Sequence, residues 1–262
     1  MTTRLLLALA LLSPCAAFAS ATLITRSGEK ESTILLDGNR MRIADPADVN
    51  RVVIYDGDAQ KMTGIDKAKK TYMEITPEKI KKLVDQMQSS VSKMSPEQRA
   101  RMDAAMAKMD PETRARMDAM MSGKPRAKAD APAAAPKPRF EKTGETETVA
   151  GYRCEGFRQM LGDKLKARGC IIPWSAGAIS RQDIGAMEKL VEFLREMGLP
   201  ELPVAYFSEM PGYPGRWASI GRDGKEERPT SLVSVKRGSL PADAFKVPAG
   251  YTETDFTSQA RH

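Results

Sequence analysis

Histidine is nearly missing from this 262-residue chain: it occurs once, as the last residue, His262. A placed imidazole is central to many general acid–base schemes and many zinc sites, so those classes are set aside at the outset. Aromatic residues are scarce at 6%. No platform of aromatics interleaved with basic residues is visible, which argues against nucleic acid as a partner. There is no Gly-x-Ser-x-Gly, no phosphate-binding glycine loop and no pair of acids at a shared location. No catalytic residue is therefore assigned, no cofactor is expected, and the chain reads as a non-enzyme. Nor is any apolar run long enough to cross a bilayer as a helix.

What is present begins with an export signal. Residues 1–20 read MTTRLLLALALLSPCAAFAS. Arg4 precedes an apolar run from Leu5 to Leu12, and Ala17 and Ala19 supply small residues at −3 and −1 of a cleavage site. This predicts a signal peptide and a periplasmic location. Cys15 also opens a lipoprotein reading, although the proline just before it suits acylation poorly. The whole chain carries 41 basic against 34 acidic side chains, and loss of Arg4 leaves 40 − 34 = +6. For an exported protein, that charge points to peripheral contact with an anionic membrane.

Two cysteines then remain, Cys154 and Cys170. An even count in an exported chain predicts a disulfide. There is no Cys-x-x-Cys and no third ligand, so a redox or metal pair is disfavoured. Strand text at Tyr152–Leu161 and Lys164–Ile172 flanks Gly162-Asp163, and each cysteine lies eight residues from Gly162. Read as a hairpin, this spacing predicts that the two cysteines face each other directly.

The remaining text divides cleanly. Ala21–Arg26, Ser32–Leu36, Arg40–Ala44, Arg51–Tyr55, Lys61–Ile65 and Thr71–Ile75 are short β-branched runs separated by Gly/Asp/Asn turns, an antiparallel meander. Thr76-Pro77-Glu78, Ser95-Pro96-Glu97 and Asp110-Pro111-Glu112 each offer an N-cap, a proline at the first helical position and an acid in the first turn. Three consecutive helices follow from these starts, the first with the stripe Ile80, Leu83, Val84, Met87, Val91 and Met94. Met94–Met106 and Met109–Met121 agree at ten of thirteen positions, an internal repeat. Residues 124–139, KPRAKADAPAAAPKPR, have no apolar periodicity and predict a disordered linker. Strands resume at Phe140. A helix over 181–197 is predicted from the cap at Ser180 with Asp183, the stripe Ile184, Met187, Leu190, Val191, Leu194 and Met197, and the stop at Gly198. Val204–Glu209, Arg216–Gly221 and Ser231–Arg237 close the β text. The fold class is α+β. The reading divides the chain into a signal at 1–20, sheet at 21–75, a Met-rich helical insertion at 76–123, the linker, and sheet again at 140–256.

Eight methionines fall between Met87 and Met121. Three readings stand side by side for them. Thioethers of Met106, Met109, Met117, Met120 and Met121 could ligate Cu(I). The helices could offer an adaptable apolar face to a protein client. Or they pack on their own sheet. The phrase Pro-Glu-x-Arg-Ala-Arg-Met-Asp is similar to helical text of periplasmic stress chaperones and zinc-resistance proteins.

In the second half, Thr143-Gly144-Glu145, Val149-Ala150-Gly151-Tyr152-x-Cys154 and Gly169-Cys170-Ile171-Ile172-Pro173-Trp174 stand in order. Gly212-Tyr213-Pro214 and Phe245-x-Val247-Pro248-Ala249-Gly250-Tyr251 follow. Together with the meander, these resemble, over residues 21–76 and 140–256, an exported bacterial family known as domain of unknown function 4412. Such proteins look like relatives of the lipoprotein-carrier architecture, a half-open antiparallel barrel with helices at its mouth. The resemblance implies a curved half-barrel sheet and a pocket for a lipid or other apolar ligand, and it supplies no catalytic residues. The leading expectation is an exported non-enzymatic protein that binds an apolar or lipid-like ligand. The alternative is a periplasmic stress chaperone or metal-responsive protein acting through the Met-rich helices.

Overall fold

A computed structural model of the chain describes residues 20–44, 48–107, 138–196, 209–221 and 223–255. The signal text, the third helix with Met109, Met117, Met120 and Met121, most of the linker, Met197, Gly198 and residues 204–208 lie outside the described residues.

Six strands come first, and short turns join β1 to β2, β2 to β3, β4 to β5 and β5 to β6. They are β1 (Ala21–Ser27), β2 (Lys30–Asp37), β3 (Arg40–Ala44), β4 (Arg51–Asp56), β5 (Lys61–Asp66) and β6 (Thr71–Ile75). The turn glycines serve a steric purpose: Gly38, between β2 and β3, has φ +58°, where a Cβ is strained. Helices α1 (Pro77–Ser92) and α2 (Pro96–Ala107) follow. The hydroxyl of Thr76 accepts from Lys79 N–H at 3.3 Å at the start of α1. At the start of α2, Ser95 Oγ accepts from Gln98 N–H at 3.2 Å, while Gln98 Oε1 accepts from Ser95 N–H at 3.0 Å. That reciprocal pair satisfies two donors the helix leaves open.

The second half contributes β7 (Arg139–Val149), β8 (Tyr152–Leu161), β9 (Lys164–Pro173), α3 (Gly185–Glu196), β10 (Gly212–Ile220), β11 (Glu226–Arg237) and β12 (Thr252–Glu253). The described strands form one curved, unclosed 12-stranded sheet in the order β12-β6-β5-β4-β3-β2-β1-β11-β10-β9-β8-β7. The two meanders are joined by β1 pairing antiparallel with β11, Leu23 opposite Val235. Among the described strands, β12 alone runs parallel to its neighbour, β6.

Helix α3 fills the middle of the sheet's inner face. Its side chains Ala186, Met187, Leu190, Val191, Phe193 and Leu194 are buried. Most of them share one core with Leu23, Leu36, Met41, Tyr55, Ile172 and the two cysteines. Burying each large apolar side chain of this kind is worth roughly 1.5–3 kcal/mol. On the opposite face of β4, Val52 and Ile54 join Ile65 under Phe245, Val247 and Tyr251 from the tail. β4 is therefore covered on both faces, which explains its unbroken Val-Val-Ile-Tyr run.

Three expectations need correcting. The helix predicted over 181–197 begins at Gly185, because residues 181–184 take tighter turns, with Asp183 N–H bonded to Ser180 O and Gly185 N–H to Gln182 O. The strand expected at Arg216–Gly221 starts earlier, at Gly212, where β10 already pairs with Pro173. Finally, the cysteines do not stand directly opposite. The two-residue turn pairs Leu161 with Lys164, and a bulge between Gln159 and Met160 moves the register again, leaving Cys170 opposite Gly156. The disulfide is present all the same, with Cα atoms 5.4 Å apart. It joins diagonal neighbours, which the twist of the sheet brings together.

Candidate functional site

The inner face of the sheet, where an apolar pocket was expected, is occupied by α3. Tyr55 and Phe193 pack there as a tilted pair with ring centroids 5.5 Å apart, and Tyr55 Oη–H donates to Lys189 O at 3.0 Å. Burial, then the charge of Asp56, pushes the Tyr55 phenol up to about 12. Burial raises Tyr213 in the same way. Both stay neutral and serve packing. The start of α3 is fastened by Asp183, whose carboxylate accepts from Ser180 N–H at 2.6 Å and from the two terminal nitrogens of Arg237 at 2.6 and 2.9 Å. Burial pushes that carboxyl upward, but the Arg237 and Ser180 donors outweigh it and hold it below its usual range.

Open space lies instead between α1 and the end of β6, on the side that β12 pairs with. β6 ends at Ile75, Thr76 caps the helix, and α1 leaves at once. Ile80 and Leu83, one turn apart on α1, therefore face the sheet edge across a groove of about 440 Å³. Ile75, Ile80 and Leu83 form its apolar floor. Its rim carries Glu74 from β6, Lys79, Lys82 and Gln86 from α1, and Glu253, Thr254 and Asp255 from β12 and beyond. Lys79 Nζ bridges the walls, 2.5 Å from Glu253 and 3.8 Å from Glu74. Its hydrogen bond to Glu253, opposed by partial burial, keeps its ammonium above the usual lysine range. An apolar floor with a charged rim suits a ligand that buries hydrocarbon and leaves polar groups at the surface.

The cysteines, Cys154 and Cys170, sit in the α3 core and are fully buried, away from the groove lining. Of the five candidate Cu(I) ligands, only Met106 is described, half-buried in the last turn of α2. Among the described residues, no group of three His, Cys, Asp or Glu side chains is arranged to hold a metal ion. Sequence reasoning identified Ile80 and Leu83 as an apolar stripe but missed Lys79, Glu253 and Asp255. No local signal could have found them, because the parallel pairing of Thr252 with Thr71 joins segments about 180 residues apart.

No curated protein matches the chain. Among solved structures, an uncharacterized conserved protein from Thermus thermophilus is similar at 6% identity with a TM-score of 0.43, covering 90% of this chain and 89% of that one. The MucA/MucB complex of Pseudomonas aeruginosa matches at 11% identity and TM-score 0.35, over 88% of this chain and 56% of that one. PNGF-II matches at 9% and 0.36, and there the chain spans 32% of the other's length. The family comparison runs over residues 79–251. It therefore includes α1 and the Met-rich segment, which the resemblance read from sequence had left out, and omits the first meander. That match covers 173 of 262 residues, and the chain belongs to the family defined by the domain of unknown function DUF4412.

Proposed function

We propose that this is an exported, non-enzymatic binding protein that holds a lipid-like or otherwise apolar ligand in the groove between α1 and β6. The observation that carries the reading is the groove itself: about 440 Å³, floored by Ile75, Ile80 and Leu83. This lies within the size range of small-ligand sites. Export rests on the signal text of residues 1–20 and on the buried Cys154–Cys170 disulfide, a bond that persists in oxidising compartments. The non-enzymatic part rests on a sequence whose single histidine is its last residue. The net positive charge supports peripheral contact with anionic lipid as the place where such a ligand is met.

The test is titration with N-phenyl-1-naphthylamine, a neutral apolar dye whose fluorescence rises on burial. The wild-type protein binds it saturably. Leu83→Asp places a carboxylate on the groove floor without touching the α3 core, and weakens binding at least about tenfold. Unchanged dye binding by a folded Leu83→Asp protein overturns the assignment of the site.

A further inference from the structure

The parallel pairing of β12 with β6 sets a register that points one residue past the described segment. Thr252 stands opposite Thr71 and Glu253 opposite Tyr72. Thr252 N–H donates to Lys70 O at 3.0 Å and Thr254 N–H to Tyr72 O at 2.8 Å. The Thr254 hydroxyl donates to the same Tyr72 carbonyl at 3.2 Å. Donors and acceptors both advance by two residues, as the even spacing of a parallel ladder requires. The described segment stops at Asp255, on the rim of the groove, and the next residue in the sequence is Phe256. The next donor in this series is the Phe256 amide, and the next acceptor is Glu74 O.

The same register settles the faces. Residues opposite one another in a pleated sheet share a face, and successive residues alternate. Tyr72 belongs to the outer cluster under the tail, whereas Ile75 belongs to the inner core, with Ile80 packed against it. Glu253, opposite Tyr72, meets Lys79 at 2.5 Å, and Lys79 lies 3.8 Å from Glu74, so the acids keep to one face as the alternation demands. Three residues on from the Glu253–Tyr72 pair, the register sets Phe256 opposite Ile75. That is the face on which Ile75, Ile80 and Leu83 floor the groove. A phenyl ring at this point takes the apolar floor out of water. Lys79 holds the strand beside it through Glu253.

We infer that Phe256 of this chain is a resident plug of the groove: its amide continues the ladder to Glu74 O and its ring rests on Ile75, Ile80 and Leu83, so that an apolar ligand enters by displacing it. The inference rests on the proposed binding role of this groove and adds the regulation of that site. Occupancy by the plug then sets the affinity. A plug seated about nine-tenths of the time leaves about one molecule in ten competent, and weakens apparent binding about tenfold.

The test compares N-phenyl-1-naphthylamine binding by the full mature chain with binding by Phe256→Asp and Phe256→Leu. Phe256→Asp is expected to tighten dye binding about tenfold. Phe256→Leu keeps a large apolar side chain and is expected to stay close to wild type. Hydrogen exchange gives a second readout: the Phe256 amide is expected to be protected without dye and to lose protection at saturating dye. Unchanged or weaker dye binding by Phe256→Asp overturns the inference, and so does an unprotected Phe256 amide. If Leu83→Asp still weakens dye binding in that case, the groove stands as the binding site and only the plug falls. If dye binds neither wild type nor Phe256→Asp, the ligand reading falls, and protection of the Phe256 amide alone decides whether the plug stands.

Discussion

Replacing both cysteines by alanine perturbs this fold in a way that can be calculated beforehand. The bond closes a segment of sequence separation 16. In the chain-entropy model the crosslink removes about 10 cal/mol/K from the unfolded ensemble for such a loop, or about 3 kcal/mol at 25 °C. Both sulfurs are fully buried, so trimming them also removes packing next to Gly215 and Ile172. Taken together, the loss in Cys154→Ala/Cys170→Ala is about 3–4 kcal/mol. With a urea m-value near 2–3 kcal/mol/M, the midpoint falls by roughly 1–2 M. Urea titration by circular dichroism of the oxidised wild type and the double variant measures it directly. A second variant tests the packing part. A Cβ added at Gly215 would lie 2.5 Å from Cys154 Sγ and 3.2 Å from an Ile172 side-chain atom. Gly215→Ala should therefore cost about 1–3 kcal/mol with the disulfide present and much less in the double alanine background. A midpoint shift under about 0.3 M, or equal costs of Gly215→Ala in both backgrounds, would refute the argument that the bond anchors the inner core.

Four further outcomes are expected. Phe193→Ala, which empties the centre of the α3 interface against Tyr55, should lower stability by about 3–5 kcal/mol in the same urea assay. Asp183 has a folded pKa below its unfolded value of about 4, so its contribution is present above pH 4 and lost as pH falls through the folded value; Asp183→Asn should flatten that part of the acid titration. Deleting residues 95–123 should leave the disulfide-linked sheet folded and dye binding intact while abolishing any Cu(I) uptake or client protection; unfolding on deletion would make the Met-rich helices part of the core. Mass spectrometry of the exported protein should show a chain beginning at Ser20, and an intact Met1 terminus would remove the export reading.

Much of the local structure is legible in the sequence because it depends on neighbours a few residues apart. β3, β6 and β8 have the bounds their β-branched runs and flanking turns imply, and Thr76 and Ser95 cap their helices as their types dictate. The α3 stripe at Ile184, Met187, Leu190 and Leu194 was visible as a period of 3.6, although Ala186 and Phe193 widen the buried face beyond it. The cysteine register was misplaced by two residues: the turn is centred between Gly162 and Asp163 and not on Gly162, and a bulge on the β8–β9 hairpin, which no composition signal marks, adds one more.

Other features exist only in three dimensions. The pairing of β1 with β11 fuses two meanders whose partners lie more than 200 residues apart, and no local pattern specifies it. Once that seam forms, the sheet curves around α3. The inner face, where the family resemblance implied a ligand pocket, is filled by Phe193, Leu190 and Met187. The open space moves to the edge, where the cap at Thr76 sends α1 away from the sheet and the segment from Glu253 to Asp255 forms the opposite rim. The sequence determined which segments are strand, helix and turn, because hydrophobic period and capping chemistry act within a few residues. Where the groove lies was decided by how α1 and the segment around β12 meet at β6, and that depends on contacts between distant parts of the chain.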